Sequence, residues 1–187
     1  MKLHLVRHPQ PDIDPGLCYG ASDVPVAEAA LARVHAALDA AGLPGRLPVY
    51  ASPLQRCALL ARRLRPHDLR IDARLAEMDF GRWELRPWSA IPRTEVDAWA
   101  ADLLDYRPGA AENVRDVAHR VAAFVAELRT DLRTGAGARE AALVICHAGT
   151  IRLLLAMRAG LPLAEAALQA AATPHRIAYG EILSLEF

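Results

Sequence analysis

Residues 142–149 read Ala-Leu-Val-Ile-Cys-His-Ala-Gly: five apolar side chains without a break, then a histidine, then two small residues. A short unbroken apolar run suits a strand covered on both faces, the usual state of a parallel strand between two helical layers. The run predicts a buried strand with His147 at its carboxyl tip. The amino terminus carries a counterpart. Leu3 to Val6 is a short, mainly apolar run that ends in Arg7-His8-Pro9. Proline cannot join a central ladder and pushes the residue before it toward extended backbone. Arg7 and His8 are therefore predicted at a second strand tip.

The intervening chain fits the same scheme. Residues 27–41 are alanine-rich with a helical period, and Gly42 is placed to stop that helix. Pro48 to Ala51 reads as a strand. Ser52 is predicted to cap a helix that has Pro53 at its first position and runs to about Leu64. Leu69 to Ile71 is a possible short strand. Val114, Val117, Val121, Phe124, Val125, Leu128 and Leu132 share one helical face, and Gly135 and Gly137 are expected to end that helix. A further helix is expected from about Thr150, and Ile177 to Phe187 reads as two strands around Gly180. Strands alternating with helices predict an α/β fold. The expectation is a three-layer α/β/α sandwich with a mainly parallel sheet and an antiparallel edge strand, one domain over residues 1–187. Only 73–113 resists a regular reading; it holds Trp83, Trp88 and Trp99 and is expected to form an irregular or helical lid.

Composition narrows the chemistry. Net charge is zero, so no nucleic acid or anionic membrane is expected as partner. Lys2 is the only lysine, which nearly excludes Schiff-base and P-loop chemistry; the other cations are arginines, whose forks suit phosphate and carboxylate. Three cysteines, none at C-x-x-C spacing, argue against a disulfide framework and a zinc knuckle. No signal-peptide-like or bilayer-spanning run stands out. These features point to a cytoplasmic enzyme, and a monomer or homodimer is expected.

Ligands of parallel sheets bind at the carboxyl ends of strands. Arg7 and His8 sit at one such end, Ser52 to Arg56 just past another, and His147 at a third. A helix start offers unpaired N–H groups to an anion. Two histidines at neighbouring strand tips invite a phosphate between them. Zinc is the competing reading, but neither His4 nor His175 is an obvious third ligand.

Together these pieces resemble the histidine phosphatase superfamily, also called phosphoglycerate mutase-like. LVRHP at 5–9 is similar to its Arg-His-Gly signature, ASPLQRCALLA at 51–61 to its Ser-Pro-Leu-x-Arg block, and VICHAGTIRLLL at 144–155 to its second-histidine block. LAEMDFGRWE at 75–84 resembles its Leu-x-Glu segment. The resemblance implies that His8 is the phosphoryl-accepting nucleophile, that Arg7 and Arg56 clamp the phosphate, that His147 donates from the opposite side as a cationic imidazole, and that Glu77 protonates the leaving oxygen and later activates water. Asp79 and Glu84 are rival acids. No cofactor or metal is implied. Pro9 stands where the family has glycine, which removes one backbone donor from the cradle.

The chain lacks the insertion and tail of the resembling mutases, which favours hydrolysis. Among short members, RHPQP, CYG-x-SD, LAEMDFGRWE and YRPGAAE are most similar to α-ribazole phosphatases of the cobalamin pathway, whose substrate is a 5′-phosphorylated benzimidazole nucleoside or the corresponding cobalamin phosphate. Tyr19, Ser52, Trp83, Glu112, Asn113 and Ala148 are the candidate substrate contacts. A phosphoglycerate mutase, a broad-specificity sugar or nucleotide phosphatase, and a non-catalytic phosphate-binding protein are the alternatives.

Overall fold

A computed structural model describes residues 1–44, 46–134, 140–174 and 176–187. Its sheet has five strands in the order β3-β2-β4-β1-β5. These are β1 (Lys2–Arg7), β2 (Val49–Ala51), β3 (Leu69–Ile71), β4 (Ala141–Cys146) and β5 (Ile182–Glu186). The first four are parallel, and β5 closes the edge antiparallel to β1. The apolar runs at 3–6 and 142–146 form neighbouring strands: β1 lies beside β4 with Arg7 opposite Cys146.

The α-helices among the described residues are α1 (Glu28–Ala40), α2 (Gln55–Arg63), α3 (Arg93–Ala101), α4 (Val114–Thr134), α5 (Ala148–Met157) and α6 (Leu163–Ala172). Alternation along the strands sorts the core into two layers. Leu3, Leu5, Val144 and Cys146 face α4, α5 and α6, while Val6, Ala51, Leu143 and Ile145 face α1 and α2. The apolar stripe of α4 is buried from Val117 to Leu132. Each such side chain contributes about 1.5–3 kcal/mol on burial.

Four local expectations need correction. Ser52 does not cap α2, which begins at Gln55 with Leu54 as its flanking residue. The Ser52 hydroxyl instead faces His147 (Oγ–Nε2 2.8 Å), and Asp23 accepts the hydrogen bond from the Gln55 N–H. α5 starts at Ala148, two residues earlier than read, because His147 is already its extended flanking residue. The tail forms one strand; Ile177 to Tyr179 is a loop. α6 was not separated from α5 in the sequence, where alanine and leucine continue across Pro162. Gly135, Gly137 and His175 lie outside the described residues.

The segment 73–113 contains three-residue helical turns and α3. It has a small core of its own, in which Trp83, Cys18 and Ile91 pack with Phe80, Val96, Trp99 and Tyr106.

Candidate active site

The floor of the site is made by strand tips. The His8 N–H donates to the Cys146 carbonyl at 3.0 Å, which prolongs the β1–β4 ladder by one residue. That register sets the rings of His8 and His147 with centroids 5.0 Å apart, tilted by 56°. Both rings are buried. The Nδ1 of His8 donates to the Pro9 carbonyl at 2.7 Å. A proton on Nδ1 leaves the lone pair on Nε2, and no described residue is bonded to Nε2. Pro9 thus lacks an amide donor yet supplies the acceptor that orients the ring.

His147 is tied at both nitrogens. Arg56 Nε, which can only donate, lies 3.3 Å from Nδ1. Nδ1 is therefore the acceptor, and Nε2–H donates to Ser52 Oγ at 2.8 Å. The Cys57 thiol lies 3.5 Å from the same nitrogen; burial pushes its pKa up, so it stays a neutral thiol. Burial first, then the charges of Arg56 and Arg7, lower the His8 pKa to about 3, against the opposing pull of the Pro9 hydrogen bond. Burial first, then His8, Arg56, Arg120 and Arg7, drive His147 well below the ordinary imidazole value. Both shifts favour the neutral imidazole.

Two guanidinium groups flank the rings. Arg56 is fully buried and donates through Nη1 to Ser22 O at 2.8 Å and through Nη2 to Gly20 O at 2.5 Å, which pins the 20–22 loop. Arg7 donates through Nη1 to Ile177 O at 2.5 Å, and its buried Nε has no partner among the described residues.

Glu77 lies on the pocket wall beside His147. Its Oε2 accepts from the Gly149 N–H at 3.0 Å and its Oε1 from the Met78 N–H at 3.1 Å. The approach to α5 requires glycine at 149, because a Cβ there would collide with the carboxylate. The rival acids are engaged elsewhere. Glu84 accepts from the backbone of Gly20, Ala21, Ser22 and Phe80 and from the Ser22 hydroxyl. Burial works to raise its pKa, but these hydrogen bonds prevail and lower it. Asp79 accepts from the Gly81 N–H at 2.7 Å.

These groups open into a cavity of about 410 Å³. Its far wall is apolar, with Phe80, Trp88, Trp99, Leu103, Val114 and Leu153. The Trp88 and Trp99 rings are nearly parallel, with centroids 6.4 Å apart. Of the six candidate substrate contacts, Tyr19 and Ala148 line this cavity. Ser52 lies behind His147, and Trp83 is buried in the neighbouring small core with its Nε1 donating to Glu95 at 2.7 Å. Glu112 pairs with Arg120 at 2.9 Å and accepts from the Asp79 N–H, and Asn113 caps α4 by accepting from the Asp116 N–H at 2.9 Å. Those four are spoken for by the fold. The sequence reading missed Arg152, which lines the cavity from α5 and donates to the carbonyls of Ala171 and Thr173. Among the described residues, no cluster of three or more His, Cys, Asp or Glu could hold a metal ion, and no helix is long and apolar enough to cross a membrane.

The family model of the histidine phosphatase superfamily (branch 1) matches residues 3–177. The chain belongs to the histidine phosphatase superfamily. It is an enzyme of the histidine-phosphatase type, and the family implies a small phosphorylated substrate. Among solved structures, this histidine phosphatase is similar to the α-ribazole phosphatase from Shigella flexneri, at 26% identity and TM-score 0.81 over 100% of this chain and 90% of that one. It is also similar to a putative α-ribazole-5′-P phosphatase from Escherichia coli, at 27% identity and TM-score 0.77 over 98% and 89% of the two chains. A mycobacterial glucosyl-3-phosphoglycerate phosphatase in complex with VO3 matches at 26% identity and TM-score 0.79, over 99% and 92%. No curated protein sequence matches the chain significantly.

Proposed function

We propose that this phosphatase hydrolyses a small phosphate monoester through a phosphohistidine on His8 Nε2, with α-ribazole 5′-phosphate as the leading substrate. One observation carries the catalytic part: two buried imidazoles 5.0 Å apart, the first with Nδ1 locked to the Pro9 carbonyl, between two arginines. A neutral imidazole with its lone pair on Nε2 is the reactive form of the nucleophile. It attacks phosphorus in line as the bond to the leaving oxygen breaks. Arg7, Arg56 and His147 offset the charge on the equatorial oxygens. The incoming dianion opposes the positive field that depresses both histidines; as Arg56 turns its Nε–H from His147 Nδ1 to the phosphate, that nitrogen takes a proton from solvent and becomes a donor. Glu77 gives a proton to the leaving alkoxide. It then takes one from the water that attacks the phosphohistidine, which releases inorganic phosphate and restores His8.

The far wall supports the substrate. A benzimidazole is planar and apolar, and the Trp88 and Trp99 faces with Phe80 offer stacking area. Segment 73–113 acts in this reading as the cover that selects the organic group. A second reading, a sugar-acid phosphate of the kind named for the mycobacterial relative, is favoured by Arg152, whose buried Nε has no partner among the described residues. A phosphate-release panel of α-ribazole 5′-phosphate, glucosyl-3-phosphoglycerate, 3-phosphoglycerate and p-nitrophenyl phosphate, run with and without EDTA, decides between them. The leading reading requires the highest kcat/KM for α-ribazole phosphate, no transfer to a second acceptor, and no effect of chelator. A preference for the glycerate esters would move the assignment to the second.

A further inference from the structure

We propose that Tyr179 is a positioning residue that holds the Arg7 guanidinium flat against the phosphate site; this rests on the assignment of Arg7 as a phosphate clamp. Tyr179 lies beyond residue 177, where the family match ends, so the family blocks say nothing of it. The Arg7 guanidinium carbon sits 3.8 Å from the centre of the Tyr179 ring. The same ring is 5.5 Å from the His8 ring, and its hydroxyl is 2.9 Å from that of Tyr19 on the cavity wall.

The backbone aims this ring. Residues 178–181 form a turn in which Glu181 N–H donates to Ala178 O at 3.1 Å. Gly180 has φ +77°, and a Cβ on it would strike Val34, so the close left-handed turn requires glycine. Its N–H donates to Arg7 O at 3.0 Å and His8 O at 3.3 Å, while Arg7 N–H donates back to Glu181 O at 3.1 Å. The loop is therefore bonded to the Arg7-His8 dipeptide before its side chain is considered. Ile177 O then takes one Nη1 hydrogen, and Tyr179 covers a face of the guanidinium. A guanidinium recognises phosphate through in-plane N–H donors. A ring over its face leaves those donors available and resists tilting, so its effect reaches phosphate only through Arg7.

The test uses the full chain and two readouts, kcat/KM for p-nitrophenyl phosphate and the affinity for orthovanadate by calorimetry. Tyr179→Leu keeps an apolar cover but removes the π face. It is expected to lose about tenfold on both readouts. Tyr179→Phe keeps the face and loses only the bridge to Tyr19; it should stay within about threefold. In an Arg7→Lys background, which has no plane to align, Tyr179→Leu should add less than about twofold. Tyr179→Leu matching the wild type on vanadate, or costing the same tenfold without Arg7, overturns the proposal. A merely structural tyrosine would lower the melting temperature and leave vanadate affinity unmoved. Wild-type turnover tests the phosphatase reading separately, because the vanadate comparison is readable whether or not the wild type turns over.

Discussion

The floor and the far wall of the cavity are built by different means. The floor is backbone-led: β1, β2 and β4 deliver Arg7, His8, Ser52 and His147 at fixed register, and hydrogen bonds finish the job. The wall is side-chain-led: Phe80, Trp88 and Trp99 stand on short turns and on α3, held by edge contacts among aromatic rings. A register-set floor presents one geometry to every phosphate ester. A wall held by packing can change its lining without disturbing that geometry. Chemistry should therefore be separable from specificity in this molecule.

The separation can be attacked from both sides. His8→Ala removes the nucleophile and should lower turnover by at least about 10³-fold on every ester alike, measured by phosphate release; substrate-dependent loss would mean the floor does not act alone. Glu77→Gln should slow alkyl esters by about 10²–10⁴-fold and p-nitrophenyl phosphate far less, because a good leaving group needs no acid. Equal slowing removes Glu77 from that role. Trp83→Ala empties the small aromatic core and should cost about 3–5 kcal/mol in chemical denaturation, while p-nitrophenyl phosphate turnover of the folded fraction is preserved. Trp88→Ala, at the cavity itself, should raise KM for α-ribazole phosphate by about tenfold and leave that for p-nitrophenyl phosphate alone. Loss on both substrates would join wall to floor. A further effect is in pH. His8 holds its proton less well folded, at about 3, than unfolded, at 6.5. The unfolded chain binds more protons between those values. His8 thus contributes stability that falls as pH drops from about 6.5 toward 3, by about 1.4 kcal/mol per unit. His8→Asn should make the profile of unfolding free energy shallower in that window, with His147 keeping its own share because its proton affinity is lowered too; an unchanged slope would mean that His8 contributes nothing to it.

The same division explains what was legible in the sequence. Arg7, His8 and His147 each follow an apolar run, and Arg56 lies just past a short strand, so a linear reading could place all four at strand tips. Glu77 needed the family resemblance, since nothing local marks a carboxylate that will dock on a helix start. The wall was illegible in detail. Three tryptophans could be counted, but turns of three residues have no period from which to tell Trp83, which goes inward, from Trp88 and Trp99, which face the cavity. Glu112 and Asn113 resembled binding residues because capping and ion pairing use the same polar groups. Ser52 was read as a cap from its neighbour Pro53, yet a hydroxyl at a strand tip found a buried imidazole first. Tyr179 was hidden because the tail was read as two strands about Gly180, and a strand would have turned the ring elsewhere.

The seating of Glu77 on the Gly149 amide has a mechanical corollary. The carboxylate and the second imidazole are borne by neighbouring peptide units at one helix entrance. A shift of α5 would move His147 and the amide that seats Glu77 together, so in the proposed roles the proton donor stays in step with the anion holder.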